Sequence, residues 1–250
     1  MNVVASGMTD IGPRRSRNED ALLVNEELKL YVVADGMGGH AGGSYASAIA
    51  INTVEEYMAS AELPPRDGTG EPLEVMRGVM TRAVQMASKK VHAYAQRHPE
   101  FRGMGTTVVA VVVYGTNALV AHVGDSRVYM HRSGRLEQLT EDHSLVAQSV
   151  KEGILTVEQA RTHRMKNVIT RALGFDDEVE VDVMTRALRP GDTVMLCSDG
   201  LSGPVDDAVI SDVLGANAPR VATRKLVDLA YEHGGDDNIT VLILSIEQTT

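Results

Sequence analysis

Short valine-rich runs bounded by turn residues constrain this chain more than any other feature. They are "ALLV" from Ala21, "LYVVA" from Leu30, "TTVVAVVVY" from Thr106, "ALVAHV" from Ala118 and "RVYMHR" from Arg127. "VEVDVM" from Val179, "TVMLCS" from Thr193 and "ITVLILSI" from Ile239 follow. β-Branched runs of this length read as strands, and "YGTN" at 114–117 reads as a hairpin turn. Helical spacing of apolar residues falls into blocks, at 42–60 and 73–98 and again at about 206–214 and 219–233. The loop "AELPPRDGTGEP" separates the first two helices. Strands succeed one another without regular helical alternation. The expected class is therefore α+β: a central β-sandwich of two antiparallel sheets with helices outside, in a single domain over 1–250.

The sequence has 250 residues, 43% of them hydrophobic, enough for a sizeable core. With no Trp and only 2 Phe, that core must be built from Val, Leu, Ala, Ile and Met. A net charge of −10 argues against nucleic acid or an anionic membrane as partner. Cys197 is the single cysteine, so no internal disulfide forms, which fits a reducing cytoplasm. The N-terminus lacks the basic start and apolar core of a signal peptide. "VVAVVVY" is far shorter than the roughly 20 residues that span a bilayer. A soluble, cytoplasmic protein is expected.

Acidic residues stand at the ends of the expected strands: Asp35 after "YVVA", Asp125 after "ALVAHVG", Asp199 after "VMLCS" and Asp237 before "NITVLILS". Glu19 and Asp20 precede "ALLV". Singly, Asp-Gly pairs such as Asp35-Gly36 are ordinary turn chemistry. Gathered at one sheet edge they need cations, because two carboxylates about 4 Å apart repel by about 4 kcal/mol at an effective dielectric of about 20. Oxygen-only ligands select Mg2+ or Mn2+ over zinc. A dinucleotide-binding turn is the competing reading, since Gly36, Gly38 and Ala41 spell G-x-G-x-x-A. Asp35 would then place a negative charge beside the pyrophosphate, and the strands do not alternate with helices.

The motifs "GPRRSRNED", "VVADGMGGHAGG", "MGTT", "AHVGDSRVY", "LTEDHS", "RTHRMKNVITRALG", "CSDGL" and "DNITV" occur in the order found in bacterial type-2C (metal-dependent, PPM) serine/threonine protein phosphatases. The chain resembles that family over about residues 3–246. The resemblance implies a sandwich flanked by helix pairs, with a small flap subdomain at about 143–173. It implies that Asp35 bridges two metal ions, that the Gly36 carbonyl joins the second, and that Asp199 and Asp237 complete the first. Glu19 and Asp20 match an acidic pair that holds metal-bound waters. Asp125, with Asp199, matches a third metal site to which Asn167 could add an oxygen. Arg15 matches the arginine that grips the substrate phosphate. Gly105 and Thr106 look structural.

The implied reaction is hydrolysis of phosphoserine and phosphothreonine in proteins by a metal-bridging hydroxide, without a covalent phosphoenzyme. Two Mn2+ or Mg2+ ions serve the core site, and a third ion is expected. His40 could protonate the leaving oxygen, bind water or cap the following helix. His122 reads as a satisfied core histidine. Cys197 reads as a buried strand residue, because a cysteine phosphatase needs an arginine where Gly203 stands. Lys151, Arg161, Arg164, Lys166 and Arg171 make the flap basic, suited as a group to attract acidic phosphopeptides. Partners would be the phosphorylated substrates of a serine/threonine kinase, met by a monomer. The alternatives are an inactive phosphoprotein-binding relative and a hydrolase of small phosphoesters.

Overall fold

The structure, a computed structural model, describes residues 1–38, 41–64 and 71–248. Two sheets lie face to face. The first holds β1 (Asn2–Asp10), β7 (Arg127–Arg132), β8 (Arg135–Gln138), β10 (Thr193–Cys197) and β11 (Ile239–Glu247), in the order β1-β11-β10-β7-β8. The second holds β2 (Asp20–Asn25), β3 (Leu30–Met37), β5 (Val108–Tyr114), β6 (Asn117–Val123) and β9 (Asp182–Ala187), in the order β2-β3-β5-β6-β9. The two-residue β4 (Gly105–Thr106) pairs with β3. Every strand pair is antiparallel.

The helices are α1 (Gly42–Ser60), α2 (Glu71–Arg97), α3 (Leu145–Lys151), α4 (Val157–Thr162), α5 (Asp199–Ser202), α6 (Asp207–Ala216) and α7 (Pro219–Glu232). Successive residues of β3 serve different cores. Tyr31 and Val33 pack between the sheets with Val109, Val111, Leu196 and Leu242. Leu30 and Val32 pack outward with Ala46, Ala50 and Val54 of α1 and Val84 of α2. On the far side, Met195, Cys197, Val241 and Ile243 meet Ile210 and Leu214 of α6 and Leu226 and Ala230 of α7. Central strands covered on both faces read as continuous apolar runs, and each buried Val or Leu contributes about 1.5–3 kcal/mol.

The expected α+β sandwich with outer helices is therefore the observed fold. β1 and β8 carry no valine-rich signal, and the strand expected from Val179 begins only at Asp182. β1 pairs with β11 along its whole length, from Asn2↔Glu247 to Asp10↔Ile239. Asp35 does not end its strand but sits inside β3, two residues before Met37.

Candidate active site

Strand pairing assembles the acidic rim. The β2–β3 register places Asp20 opposite Asp35. Asp199 opens α5 directly after β10, Asp237 precedes the adjoining β11, and Asp125 follows β6. The Asp-Gly pairs at the rim are not turns. Gly36 continues β3, and a Cβ there would collide with the Gly43 carbonyl at the start of α1. Gly200 lies in α5, where a Cβ would collide with the Asn238 carbonyl. Both glycines let backbones touch, drawing Asp35 towards α1 and Asp199 towards Asp237.

Hydroxyls and one amide hold the carboxylates in place. Thr107 Oγ1 accepts from the Asp35 N–H at 3.0 Å, and Thr106 Oγ1 donates to the Asp35 carbonyl at 2.9 Å. Thr107 Oγ1 also lies 2.7 Å from Ser126 Oγ, beside Asp125. Ser198 and Thr240 hydroxyls donate to Asp20 Oδ2 at 2.8 and 2.6 Å. Asn238 Oδ1 accepts from the Glu19 N–H, while its Nδ2 donates to the carbonyls of Ile11 and Arg17. The Glu19 carbonyl accepts from the Gly36 N–H and from Ser47 Oγ.

The carboxylates crowd one another. Burial pushes Asp20 up to about 7, assisted by the charges of Asp199 and Asp237. Burial, then the Asp199 charge, pushes Asp125 up to about 7. Asp35 keeps a partly accessible surface, yet burial and the charges of Asp20, Asp199, Asp125 and Asp237 hold its carboxyl well above the usual range. Asp199 is raised by burial and by Asp237, and Glu19 chiefly by burial. Asp20 Oδ1 and Asp199 Oδ1 are buried with no hydrogen-bond partner. Orphaned oxygens within such a cluster fit a hard divalent cation.

Arg15 stands at the rim. Its Nη2 donates to Asp237 Oδ2 at 2.5 Å and its Nε to the Asp236 carbonyl at 3.2 Å. Arg15, Ser16, Arg17, Glu19 and Gly38 line a cavity of about 180 Å3. Asn167 lines a larger cavity, of about 480 Å3, that also reaches Asp125 and Asp199. His40 lies outside the described residues. Cys197 is fully buried in β10, and burial pushes its thiol up to about 12. The basic character of 143–173 is largely neutralised: Lys151 pairs with Glu141, Arg161 with Asp206, and Arg171 with Asp182 and Glu180. Arg164 and Lys166 make no ion pair among the described residues.

His122 is buried but only half satisfied, since Nε2 meets the Glu141 carbonyl at 3.0 Å while Nδ1 has no partner. It stacks on His143, and with Asp182 the two rings bring three metal-capable groups together. Hydrogen bonding argues against a cation there. The Gly124 N–H donates to His143 Nδ1, so the proton sits on Nε2, facing Asp182 Oδ2 at 3.2 Å. Arg171 Nη1 already occupies the remaining space, 3.1 Å from both His143 Nε2 and Asp182 Oδ1. The group is a strut joining segment 143–173 to the second sheet.

Of the rim's supporting residues, Asn238, Ser198, Thr240, Thr107 and Ser47 were missed by sequence reasoning. "DNITV" and "CSDGL" contain three of them, but no spacing rule marks an amide or hydroxyl that reaches a distant backbone.

Buried carboxylates lacking a counterion, at one rim of a two-sheet sandwich, have the chemistry of a divalent-cation site. A profile of the family described as Protein phosphatase 2C matches residues 13–229. The serine/threonine phosphatase Stp of Listeria innocua is 36% identical over 242 residues, covering 94% of this chain and 93% of that protein. Protein phosphatase PhpP of Streptococcus pneumoniae is 34% identical over 245 residues, with 96% of each chain covered. The crystal structure of the Mycobacterium tuberculosis serine/threonine phosphatase PstP superposes with a TM-score of 0.89 at 34% identity, covering 98% of this chain and 99% of that one. A PstP catalytic-domain structure described as a complex with two manganese ions gives 0.86 at 33% identity, with the same coverage. The chain belongs to the bacterial protein phosphatase 2C (PPM) family and is a serine/threonine protein phosphatase.

Proposed function

We propose that Asp35, the Gly36 carbonyl, Asp199 and Asp237 hold two divalent cations, Mn2+ or Mg2+, and that phosphoserine and phosphothreonine are hydrolysed there. The observation that carries this reading is the pair of buried, unpartnered oxygens, Asp20 Oδ1 and Asp199 Oδ1, inside a cluster of mutually repelling carboxylates. Bound at the rim, the ions would supply Lewis acidity and water activated for attack at neutral pH.

The chain's own groups do the rest. Ser198 and Thr240 occupy one oxygen of Asp20, which leaves the other without a hydrogen bond. Glu19, on the same loop, lines the small cavity with Arg15. Arg15 presents a planar fork suited to two phosphoryl oxygens; it now rests on Asp237 and would be shared with the incoming phosphate. Asp125 and Asp199, with Asn167 beside them, are the groups for a third cation. His40 would deliver a proton to the leaving oxygen. Cys197 is too deeply buried to act as nucleophile, which supports hydrolysis without a phosphoenzyme.

In this reading a single domain, with segment 143–173 as its flap, acts as a cytoplasmic monomer on the products of a serine/threonine kinase. No helix among the described residues is long and apolar enough to cross a membrane. The test is turnover of a phosphothreonine peptide, with calorimetry of the metal-free protein. Turnover should stop in EDTA and return with Mn2+, and Mn2+ should bind with measurable heat. Full activity in EDTA would overturn the reading.

A further inference from the structure

The cavity of about 480 Å3 has two unlike ends. One is the acidic rim, represented by Asp125 and Asp199; the other is an apolar wall of Val146, Ala147 and Val150 from α3 and Val157 and Ala160 from α4. We infer that this wall receives an apolar side chain of the phosphoprotein substrate, close in sequence to the phosphorylated residue. The inference rests on the phosphatase reading and adds a substrate preference to it.

The helices that form the wall are built as if something were to cover them. Neither α3 nor α4 contains a buried residue. Local devices hold them instead: Ser144 caps α3 through Ala147 N–H, and Thr156 and Gln159 form a reciprocal capping box on α4. Their apolar residues therefore contribute little to the core. Val157 is 57% exposed and the neighbouring Ile154 67%. Val146, Ala147, Val150 and Ala160 are half-buried, so the wall is an incompletely covered apolar side of a concave space, which marks a binding surface.

Continuity with the rim selects the occupant. Asp199 belongs both to the proposed cation site and to this cavity's lining, so a phosphoresidue held there by Arg15 and the cations would have its neighbouring residues beside the cavity. Charge selects the kind of residue. The cavity is also lined by Glu141, Asp142 and Asp207. Asp142 takes up the charge of Arg127 through contacts at 3.0 and 2.7 Å, and Arg161 is engaged by Asp206. Lys166 is the one lining cation without an ion pair among the described residues. Glu141 is likewise paired with Lys151, so an acidic flanking residue would find little free positive charge and would face Asp207, whereas an apolar one would cover the valines. Discrimination thus has an attractive and a repulsive side. This reverses the preference for acidic phosphopeptides that the basic residues of the segment imply when read from sequence.

The experiment uses a phosphothreonine peptide series in which each flanking position is in turn Leu, Ser or Asp, assayed with Mn2+. Wild-type protein should favour Leu over Asp at one or two positions by about tenfold to a hundredfold in kcat/KM, the range set by burying one such side chain. Val150→Asp and Val157→Asp should each collapse that ratio, and Val150→Ile should keep it. Val221→Asp, an exposed site on α7, should leave it unaltered. The ratio is internal to each variant, so a general loss of activity cannot imitate the result. A wild-type enzyme indifferent to flanking residues, or a Val150→Asp ratio equal to wild type, would overturn the inference. A preference that fades as enzyme concentration rises would assign the wall to a second copy of the chain and overturn it too. p-Nitrophenyl phosphate separates the two readings: Mn2+-dependent turnover of it and of the peptides without any flanking preference sinks this inference alone, and no Mn2+-dependent turnover of either sinks both.

Discussion

Asp20 and Asp35 are direct cross-strand partners on the β2–β3 ladder. Like charges in that position oppose pairing, and Asp20 takes donors on one oxygen only. The sheet therefore carries a built-in repulsion at the rim where the proposed cations would bind.

That repulsion has a sign in pH. Asp20 titrates near 7 in the folded chain, above the ordinary carboxylate value of about 4. A group raised on folding contributes stability that is fully present below its unfolded pKa and lost as pH rises through its folded pKa. Without metal, Asp20 should thus lower stability between about pH 4 and 7. The buried imidazoles of His122 and His143, whose pKa values are lowered mainly by burial, act in the opposite sense as pH falls. Thermal melts of wild type and Asp20→Asn in EDTA isolate the carboxylate: the variant should gain on wild type as pH rises from 5 to 7.5. Mn2+ should stabilise wild type most at the upper end. A gap that stays constant with pH contradicts the account.

Asp199→Asn removes one of the crowded charges and one orphaned oxygen. Turnover with Mn2+ should fall by several orders of magnitude, while the metal-free melting temperature holds or rises. A metal-free melt well below wild type would mean that Asp199 serves the fold rather than the site.

Arg15→Ala should act on substrate binding. A charge-assisted hydrogen bond is worth about 1.5–3 kcal/mol, so KM should rise roughly tenfold to a hundredfold with a smaller change in kcat. The same change frees Asp237 from its 2.5 Å partner, and Mn2+ should bind more tightly in calorimetry. Arg15→Lys should recover only part of KM, because an ammonium lacks the two-pronged geometry.

His143 accepts the Gly124 N–H on Nδ1, beside Asp125. His143→Ala leaves that buried donor without a partner, at a cost of about 1–3 kcal/mol in urea unfolding. His143→Asn places an acceptor near the lost nitrogen and should recover much of the loss. His143→Gln, with its acceptor one bond further out, should recover less. Equal stability of all three variants would remove the strut from the account.

Much of this was legible beforehand, for identifiable reasons. β3, β5 and β6 announce themselves because both faces are covered, so neither periodicity nor polarity interrupts their apolar runs. β1 escapes because Ser6 and Gly7 break its pattern and half its residues face solvent. β8, "RLEQ", is half charged. α3 and α4 escape because caps rather than an apolar stripe define them. The rim aspartates could be anticipated from their places near strand ends, but the reason for the adjoining glycines could not. Contacts between Gly36 and Gly43, or Gly200 and Asn238, exist only once distant segments meet. The supporting amide of Asn238 bridges residues more than 200 positions away, beyond the reach of any local pattern.

Asn238 ties the loop of Arg15 and Glu19 to the turn before β11, and β11 itself lies between β1 and β10. During synthesis the opening strand must wait, unpaired, until residues 239–247 leave the ribosome. A nascent chain can dock α1 and α2 on the second sheet well before then, but its acidic rim stays incomplete. Phosphatase activity therefore cannot arise before β11 has emerged, and a chain cut short ahead of it would be released inert rather than partly active.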